Sequence, residues 1–188
     1  MANINAPAGA RPVLKDGSSY NGSFRKMSVD VLNATAIFVG DFVAQEADGN
    51  ITPATGGATE VIVGVCAGVV VDRSVSATED VGYLPALTAG DILVVPAESA
   101  YFRIQEDSDA SSLAATSRGA RINFIAGAGS AVTGRSGHEI DSSSVGQDVT
   151  FQLSLIDIVQ AEDNDYGTNA EWVVKVNLSQ EGPATAGI

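Results

Sequence analysis

The sequence predicts an all-β fold, either a small β-barrel or a β-sandwich with an extended N-terminal arm. Its 188 residues contain 20 glycines but only 6 prolines, and Ala, Ser, Thr and Val are frequent, which is typical of short strands joined by turns. Apolar and polar residues alternate over residues 149–155 and 171–178, the pattern of a half-buried strand. No stretch has a helical apolar stripe with caps. Roughly eight to eleven short strands are expected, a number that favours a barrel or sandwich.

Three regions are predicted along the chain. Residues 1–29 form an extended arm without sustained periodicity, residues 30–180 form the β-rich barrel or sandwich with a Gly/Ser-rich loop at 127–137, and residues 181–188 form a C-terminal tail. The arm holds four basic residues against one acidic residue, a formal charge of +3, whereas the rest of the chain carries −16. Such asymmetry indicates an interacting segment, and an arm of this length is expected to gain order against a partner outside the chain. The candidate contact residues in the arm are Arg11, Lys15, Arg25 and Lys26.

Short β-type segments are predicted to follow the arm. Residues 36–39 and 42–45 flank Gly40-Asp41, and residues 47–50 form a turn because Asp-Gly and Gly-Asn accept a positive φ at low cost. Residues 60–72 are rich in β-branched side chains, and their glycines predict bulges or the close approach of another backbone. Further strands are predicted at 92–95 and 101–105, whereas residues 108–117 form at most a short helical turn.

Two longer strands are predicted near the C-terminal end. The apolar side chains of residues 149–155 share one face, but the apolar set then continues at Ile156 and Ile158. This change of parity predicts a β-bulge after Leu155. Residues 171–178 alternate with Trp172 on the apolar face. The two strands are expected to be neighbours joined by residues 161–170.

The composition argues against several classes of partner. The apolar run at 61–71 is interrupted by Gly64 and Gly68 and is much shorter than the ~20 residues of a membrane-spanning helix, so no membrane partner is expected. The net charge of −13 disfavours nucleic-acid binding, which depends on Lys and Arg displacing counterions. The first ten residues lack the features of a secretory signal, which predicts synthesis in a cytoplasm. The single cysteine, Cys66, is expected to be buried and inert.

No residue pattern predicts catalysis or a bound cofactor. The single histidine, His138, lies beside Ser136 and Asp141 in a Gly/Ser-rich segment, where a rigid catalytic triad is not expected. One Cys and one His do not supply a structural zinc site. The acidic residues at 106–109 and 162–165 lack the spacing of a calcium loop, so both groups are interpreted as solvated turns without metal. The chain is therefore interpreted as a non-enzymatic protein.

Four segments resemble a family of structural proteins of tailed bacteriophages, known as head decoration or cement proteins. They are residues 1–7 (MANINAP) with 9–13 (GARPV), 38–43 (FVGDFV), 102–107 (FRIQED) and 160–172 (QAEDNDYGTNAEW). The resemblance implies a virion protein on the outer surface of the head, made in the cytoplasm of a bacterial host. It implies the major capsid protein as partner, whose subunit contacts it stabilises. Self-association is expected as well, as a homotrimer or alternatively a dimer.

Two alternatives remain open from the sequence. The chain is a tail, connector or fibre-base protein of the virion, or it is a carbohydrate-binding β-domain on the virion surface. Tyr166, beside Asp163, Asn164 and Asp165, is the one candidate aromatic for sugar stacking.

Overall fold

The computed structural model describes residues 3–57, 59–70 and 82–182. Fourteen strands and two single-turn 3₁₀ helices occur among these residues, so the all-β prediction is confirmed. The strands are β1 (Arg11–Val13), β2 (Arg25–Val29), β3 (Ile37–Phe38), β4 (Phe42–Gln45), β5 (Ile51–Pro53), β6 (Gly64–Val70), β7 (Tyr83–Leu84), β8 (Gly90–Pro96), β9 (Tyr101–Gln105), β10 (Arg121–Ile122), β11 (Phe124–Ile125), β12 (Glu139–Ile140), β13 (Leu153–Ile158) and β14 (Glu171–Val176). The 3₁₀ helices are Ala115–Ser117 and Ser142–Ser144.

Two five-stranded antiparallel sheets make up most of the fold. The first sheet has the order β1-β9-β14-β13-β10, and the second has the order β2-β8-β6-β4-β5. Two short pairs, β3-β7 and β11-β12, complete the described strands. The second sheet curls until its outer strands β2 and β5 approach each other, but no described ladder joins them. Neither sheet closes into a barrel among the described residues, so the sandwich form of the prediction fits better.

The two sheets pack against each other through a shared core. Alternation along the inner strands directs side chains into this core, including Trp172 from the first sheet and Phe42 from the second, both fully buried. Full burial of such side chains contributes on the order of 2–3 kcal/mol each. The intervening side chains of the second sheet, such as Val43 and Cys66, enter a smaller core on its other face. The central strands of the second sheet are therefore buried on both faces.

The predicted C-terminal strand pair and its bulge are confirmed. Strand β13 pairs with β14, and the register shifts between Leu155 and Asp157, where the apolar parity changes. The predicted start at Val149 is wrong: β13 begins at Leu153, and Val149 is 68% exposed. Asp148 instead accepts hydrogen bonds from the Thr150 N–H and hydroxyl, which fold this segment as a turn.

Both expectations for the glycine-containing strand are also confirmed. Strand β6 shifts register against β8 between Cys66 and Gly68. A Cβ at Gly64 would lie 2.2 Å from the Val95 carbonyl oxygen, so glycine allows the two backbones to approach closely there.

The N-terminal segment is extended, but its partners lie within the chain. Strand β1 pairs with β9 at one edge of the first sheet, and β2 pairs with β8 at one edge of the second. Asn3 donates its side-chain N–H to the carbonyl oxygens of Asp165 and Thr168. Residues 3–29 therefore have partners in both sheets of the chain, in addition to any outside partner that the sequence predicts. Strands β1 and β2 of the predicted arm are edge strands of the two sheets.

The remaining regional predictions have mixed outcomes. Within the Gly/Ser-rich loop, Ala128 and residues 130–133 are exposed, as expected, but Gly134, Ser136 and Gly137 are buried. Gly137 packs so closely on Ala128 that a Cβ there would lie 2.2 Å from the Ala128 carbonyl oxygen. Most of the predicted C-terminal tail, residues 183–188, lies outside the described residues. No helix in the described part of the chain has the length and apolar character needed to cross a bilayer.

Candidate functional site

The predicted contact residues lie on or beside the two edge strands of the N-terminal segment. Arg25 and Lys26 belong to β2, where Arg25 pairs with Glu181 and the Lys26 Nζ lies 2.7 Å from Asp91 Oδ2. Their side chains are 52% and 61% exposed. These pairs are of the surface type, which contributes little to stability. Both cations therefore remain available to a partner that offers carboxylates.

Arg11 lies in a different environment from Arg25 and Lys26. It faces Arg103 across the β1-β9 ladder, and Glu171 bridges both guanidinium groups. Burial and nearby Arg135 lower the pKa of Arg11. Because a carboxylate between two like charges relieves their repulsion, this cluster stabilises the first sheet. Lys15 lies fully on the surface in the turn after β1. Arg25 and Lys26 are consecutive on β2, so their side chains point to opposite faces of the second sheet, and Arg11 lies on the other sheet.

Strand β2 is flanked by exposed apolar side chains that sequence reasoning did not select. Phe24, immediately before the strand, is 51% exposed, and Val31 and Leu32, just after it, are 55% and 78% exposed. We call Phe24, Arg25, Lys26, Val31 and Leu32 the β2 surface. Large apolar groups beside cations on an edge strand are features of protein-protein interfaces.

Leu87 extends the apolar side of this region. Its N–H donates to the Asn33 carbonyl oxygen at 2.7 Å, which ties it to the loop after β2. Its φ is +56°, in the left-handed region that costs a non-glycine residue about 1–2 kcal/mol. Its side chain is nevertheless 63% exposed. A strained backbone that presents an apolar side chain to solvent is a second indication of a contact surface here.

A separate cavity of about 450 Å³ lies between the β3-β4 turn, β5 and the segment after β11. Its floor is formed by Asp41 and His138, and both side chains are 4% exposed. Its walls are small or apolar: Ala36, Phe38, Pro53, Ala54, Ala126, Gly127, Ala128 and Gly129, with Thr35 and Thr55. No local sequence pattern indicated this pairing, because Asp41 and His138 are far apart along the chain.

Hydrogen bonds define the charge state of the cavity floor. The Phe42 N–H donates to His138 Nδ1 at 3.2 Å, so the ring proton lies on Nε2, 3.4 Å from Asp41 Oδ1. Burial lowers the pKa of His138 to about 4, so the ring is neutral at pH 7. Burial raises the pKa of Asp41 to about 6, against hydrogen bonds from the Phe38 N–H and the Ser136 hydroxyl. At neutral pH the floor therefore carries a buried carboxylate.

This arrangement is not a catalytic triad. The Ser136 hydroxyl oxygen accepts the backbone N–H of His138 at 2.9 Å, and the Ser136 hydroxyl also bonds to Asp41. Ser136 therefore contacts neither nitrogen of the His138 ring. The His138 Nδ1 that could act as a base is occupied by the Phe42 N–H. A nucleophile needs its base within hydrogen-bond reach. Asp141, the acid considered from the sequence, instead caps the 3₁₀ helix Ser142–Ser144.

The first acidic group is not the solvated turn that was expected. Glu106 is fully buried; its Oε1 accepts the Leu113 N–H at 3.0 Å and its Oε2 accepts the Trp172 Nε1–H at 3.3 Å. Burial is the main cause that raises the pKa of Glu106 to about 7, and Asp107 and Asp109 add to it. Sequence reasoning missed this position because a run of acidic residues gives no sign that one of them points inward.

The neighbouring carboxylates form a compact group. Ligand oxygens of Asp107, Asp109 and Asp141 lie within 4.8 Å of one another. The Ser142 hydroxyl bonds to Asp107 at 2.7 Å and to Asp109 at 2.9 Å, which gives the group an internal partner. By contrast, the second acidic group is exposed at Glu162, Asp163 and Asp165, in agreement with the predicted solvated turn.

Tyr166, the sugar-stacking candidate, already has ring partners within the chain. Its ring centroid lies 5.8 Å from that of Trp172, and the Arg118 guanidinium carbon lies 5.8 Å from the Tyr166 centroid. Arg118 also donates to the Tyr166 hydroxyl at 2.6 Å. Tyr166 therefore makes these contacts within the chain while 36% of the residue remains exposed.

The chain was compared with known proteins at three levels. No family model, no curated protein and no solved structure matches it.

Proposed function

We propose that this chain is a structural protein of a tailed-phage virion that coats the outside of the head and stabilises contacts between major capsid protein subunits. The observation that carries the proposal is the β2 surface, where Phe24, Val31 and Leu32 are exposed around an edge strand that bears Arg25 and Lys26. The four sequence segments that resemble head decoration proteins support the same function.

The mechanism uses a preformed surface. Because residues 3–29 are already ordered within the chain, binding to the head costs little chain entropy. A partner can pack against the exposed side chains of Arg25 and Lys26 while the flanking apolar side chains leave water. Many copies on an icosahedral lattice, associated as trimers or dimers, convert modest contacts into tight attachment. The fold needs no catalytic group for this role.

The copy number in the virion tests the proposal. Quantitative mass spectrometry and cryo-electron microscopy of particles from the encoding phage should find the chain on the outer head surface in hundreds of copies. A location in the tail or connector, with a few dozen copies or fewer, would instead support the second virion function. Absence from particles would refute both.

A binding experiment tests the surface itself. The double variant Phe24→Ser/Leu32→Ser should bind expanded heads that lack the chain at least about tenfold more weakly, since central apolar contacts dominate interface energies. Val132→Ser is the matched control, because Val132 is 96% exposed in the 130–135 turn, outside the β2 surface. Equal losses for both variants, or none for either, would remove the β2 surface from the mechanism.

A further inference from the structure

We propose that the cavity floored by Asp41 and His138 is a binding site for an alkylammonium group, of the kind that a lysine side chain or a free diamine carries. This inference does not depend on the virion role, because it rests on the cavity alone. The cavity has apolar walls and one buried carboxylate. The walls match the aliphatic chain of such a ligand, and the carboxylate matches its ammonium group.

The charge of the floor is uncompensated within the described residues. Asp41 is 3% exposed, yet its described partners are the Phe38 N–H, the Ser136 hydroxyl and the His138 ring, none of them a cation at pH 7. Burying a carboxylate without a cation is costly. A cationic ligand that reaches the floor would offset part of that cost, so the site favours positively charged ligands over neutral or negatively charged ones.

The geometry favours an ammonium group over a guanidinium group. Asp41 Oδ2 already accepts the Phe38 N–H at 2.8 Å and the Ser136 hydroxyl also bonds to this carboxylate, so a two-pronged guanidinium contact to both oxygens would compete with existing bonds. Asp41 Oδ1 faces His138 Nε2 at 3.4 Å, a long contact that leaves acceptor capacity at this oxygen. A compact ammonium needs only one such acceptor.

The walls fit the aliphatic part of the ligand. Ala36, Ala54, Ala126 and Ala128 present methyl groups, and Pro53 and Phe38 add apolar surface. Lysine side chains commonly bury their methylene stem along apolar surface and direct the ammonium to a polar group. The volume of about 450 Å³ is large enough for a four- or five-carbon chain.

The test is an NMR titration of the full ¹⁵N-labelled chain at pH 7.5 with three probes. Nα-acetyl-lysine N-methylamide and cadaverine should shift the backbone amides of Asp41, Ala128 and His138, and neutral n-pentanol should bind at least tenfold more weakly. Tighter binding of the lysine derivative would identify a protein side chain as the source, whereas tighter binding of cadaverine would identify a free diamine. Equal binding of n-pentanol, or no shifts with either amine, would overturn the proposal.

Two variants separate the site from the fold. Ala128→Leu fills the mouth from an exposed wall position and should abolish amine binding, whereas Ala131→Leu, in the same loop but outside the lining, should bind as the unmodified chain does. Amine binding retained by Ala128→Leu would overturn the proposal. Binding should also weaken as the pH falls below about 6, because Asp41 then takes up a proton. The titratable groups facing it, His138 and Cys66, stay neutral from pH 5 to 7.5.

Discussion

Replacing Glu106 with Gln should change the pH dependence of stability in a calculable way. The pKa of Glu106 is about 7 in the folded protein, against 4.5 for an ordinary Glu. Between these values the folded chain holds a proton that the unfolded chain has released, so the folded state loses stability as the pH rises from about 4.5 to 7. The difference corresponds to a loss on the order of 3 kcal/mol from this group.

The Gln variant lacks this titration, so its stability relative to the unmodified chain should rise by about 3 kcal/mol between pH 4 and pH 8. A constant offset of about 1–3 kcal/mol is also expected, since Gln has one side-chain oxygen where Glu106 uses two, toward the Leu113 N–H and the Trp172 indole. This constant offset does not change how the stability difference between the two proteins varies with pH. The pH-dependent difference therefore isolates the burial of the carboxyl group.

Urea unfolding followed by tryptophan fluorescence measures this directly, because Trp172 is the single tryptophan and contacts Glu106. Glu162→Gln is the matched control, since it removes a carboxyl group from the exposed acidic turn, away from the buried network. A flat difference for Glu106→Gln would show that this carboxyl is ionised in the folded protein and that the buried network is described incorrectly.

Two further predictions concern strand β6. Gly64→Ala should destabilise the fold by about 2 kcal/mol or more, because the new Cβ would lie 2.2 Å from the Val95 carbonyl oxygen. Gly68→Ala in the same strand places its Cβ no nearer than 3.9 Å to another atom and should cost less than about 1 kcal/mol. Equal shifts of the thermal unfolding temperature for the two variants would contradict this. Cys66 should react with a thiol reagent at pH 8 no faster than the protein unfolds locally, since burial raises the pKa of its thiol to about 12. Labelling at the rate of a free thiol would place Cys66 at the surface.

Features governed by local alternation could be predicted from the sequence. The β13-β14 pair and its bulge after Leu155 follow from the period-2 pattern, because a parity change in a half-buried strand needs an extra residue. The close approach at Gly64 follows from a glycine inside an apolar strand.

Features that depend on distant partners could not be predicted. The N-terminal segment shows little periodicity because β1 and β2 are edge strands with mostly exposed or half-buried residues, and their partners lie in β9 and β8. The Asp41-His138 pair likewise joins two loops that only the complete fold brings together. A local sequence pattern carries no information about such contacts, so the cavity could not be predicted from the sequence.

The N-terminal segment also determines how late the native topology can form. Strand β1 can dock only after β9 is made, and Asn3 bonds to Asp165, 162 positions further along the chain. The middle strand of the first sheet, β14, follows both β1 and β9 along the chain. Closing such long loops before native contacts compensate for them is slow, so refolding on the millisecond-to-second scale of high-contact-order β proteins is expected. During translation, Asn3 can reach its final partners only after residues 165–168 have left the ribosome.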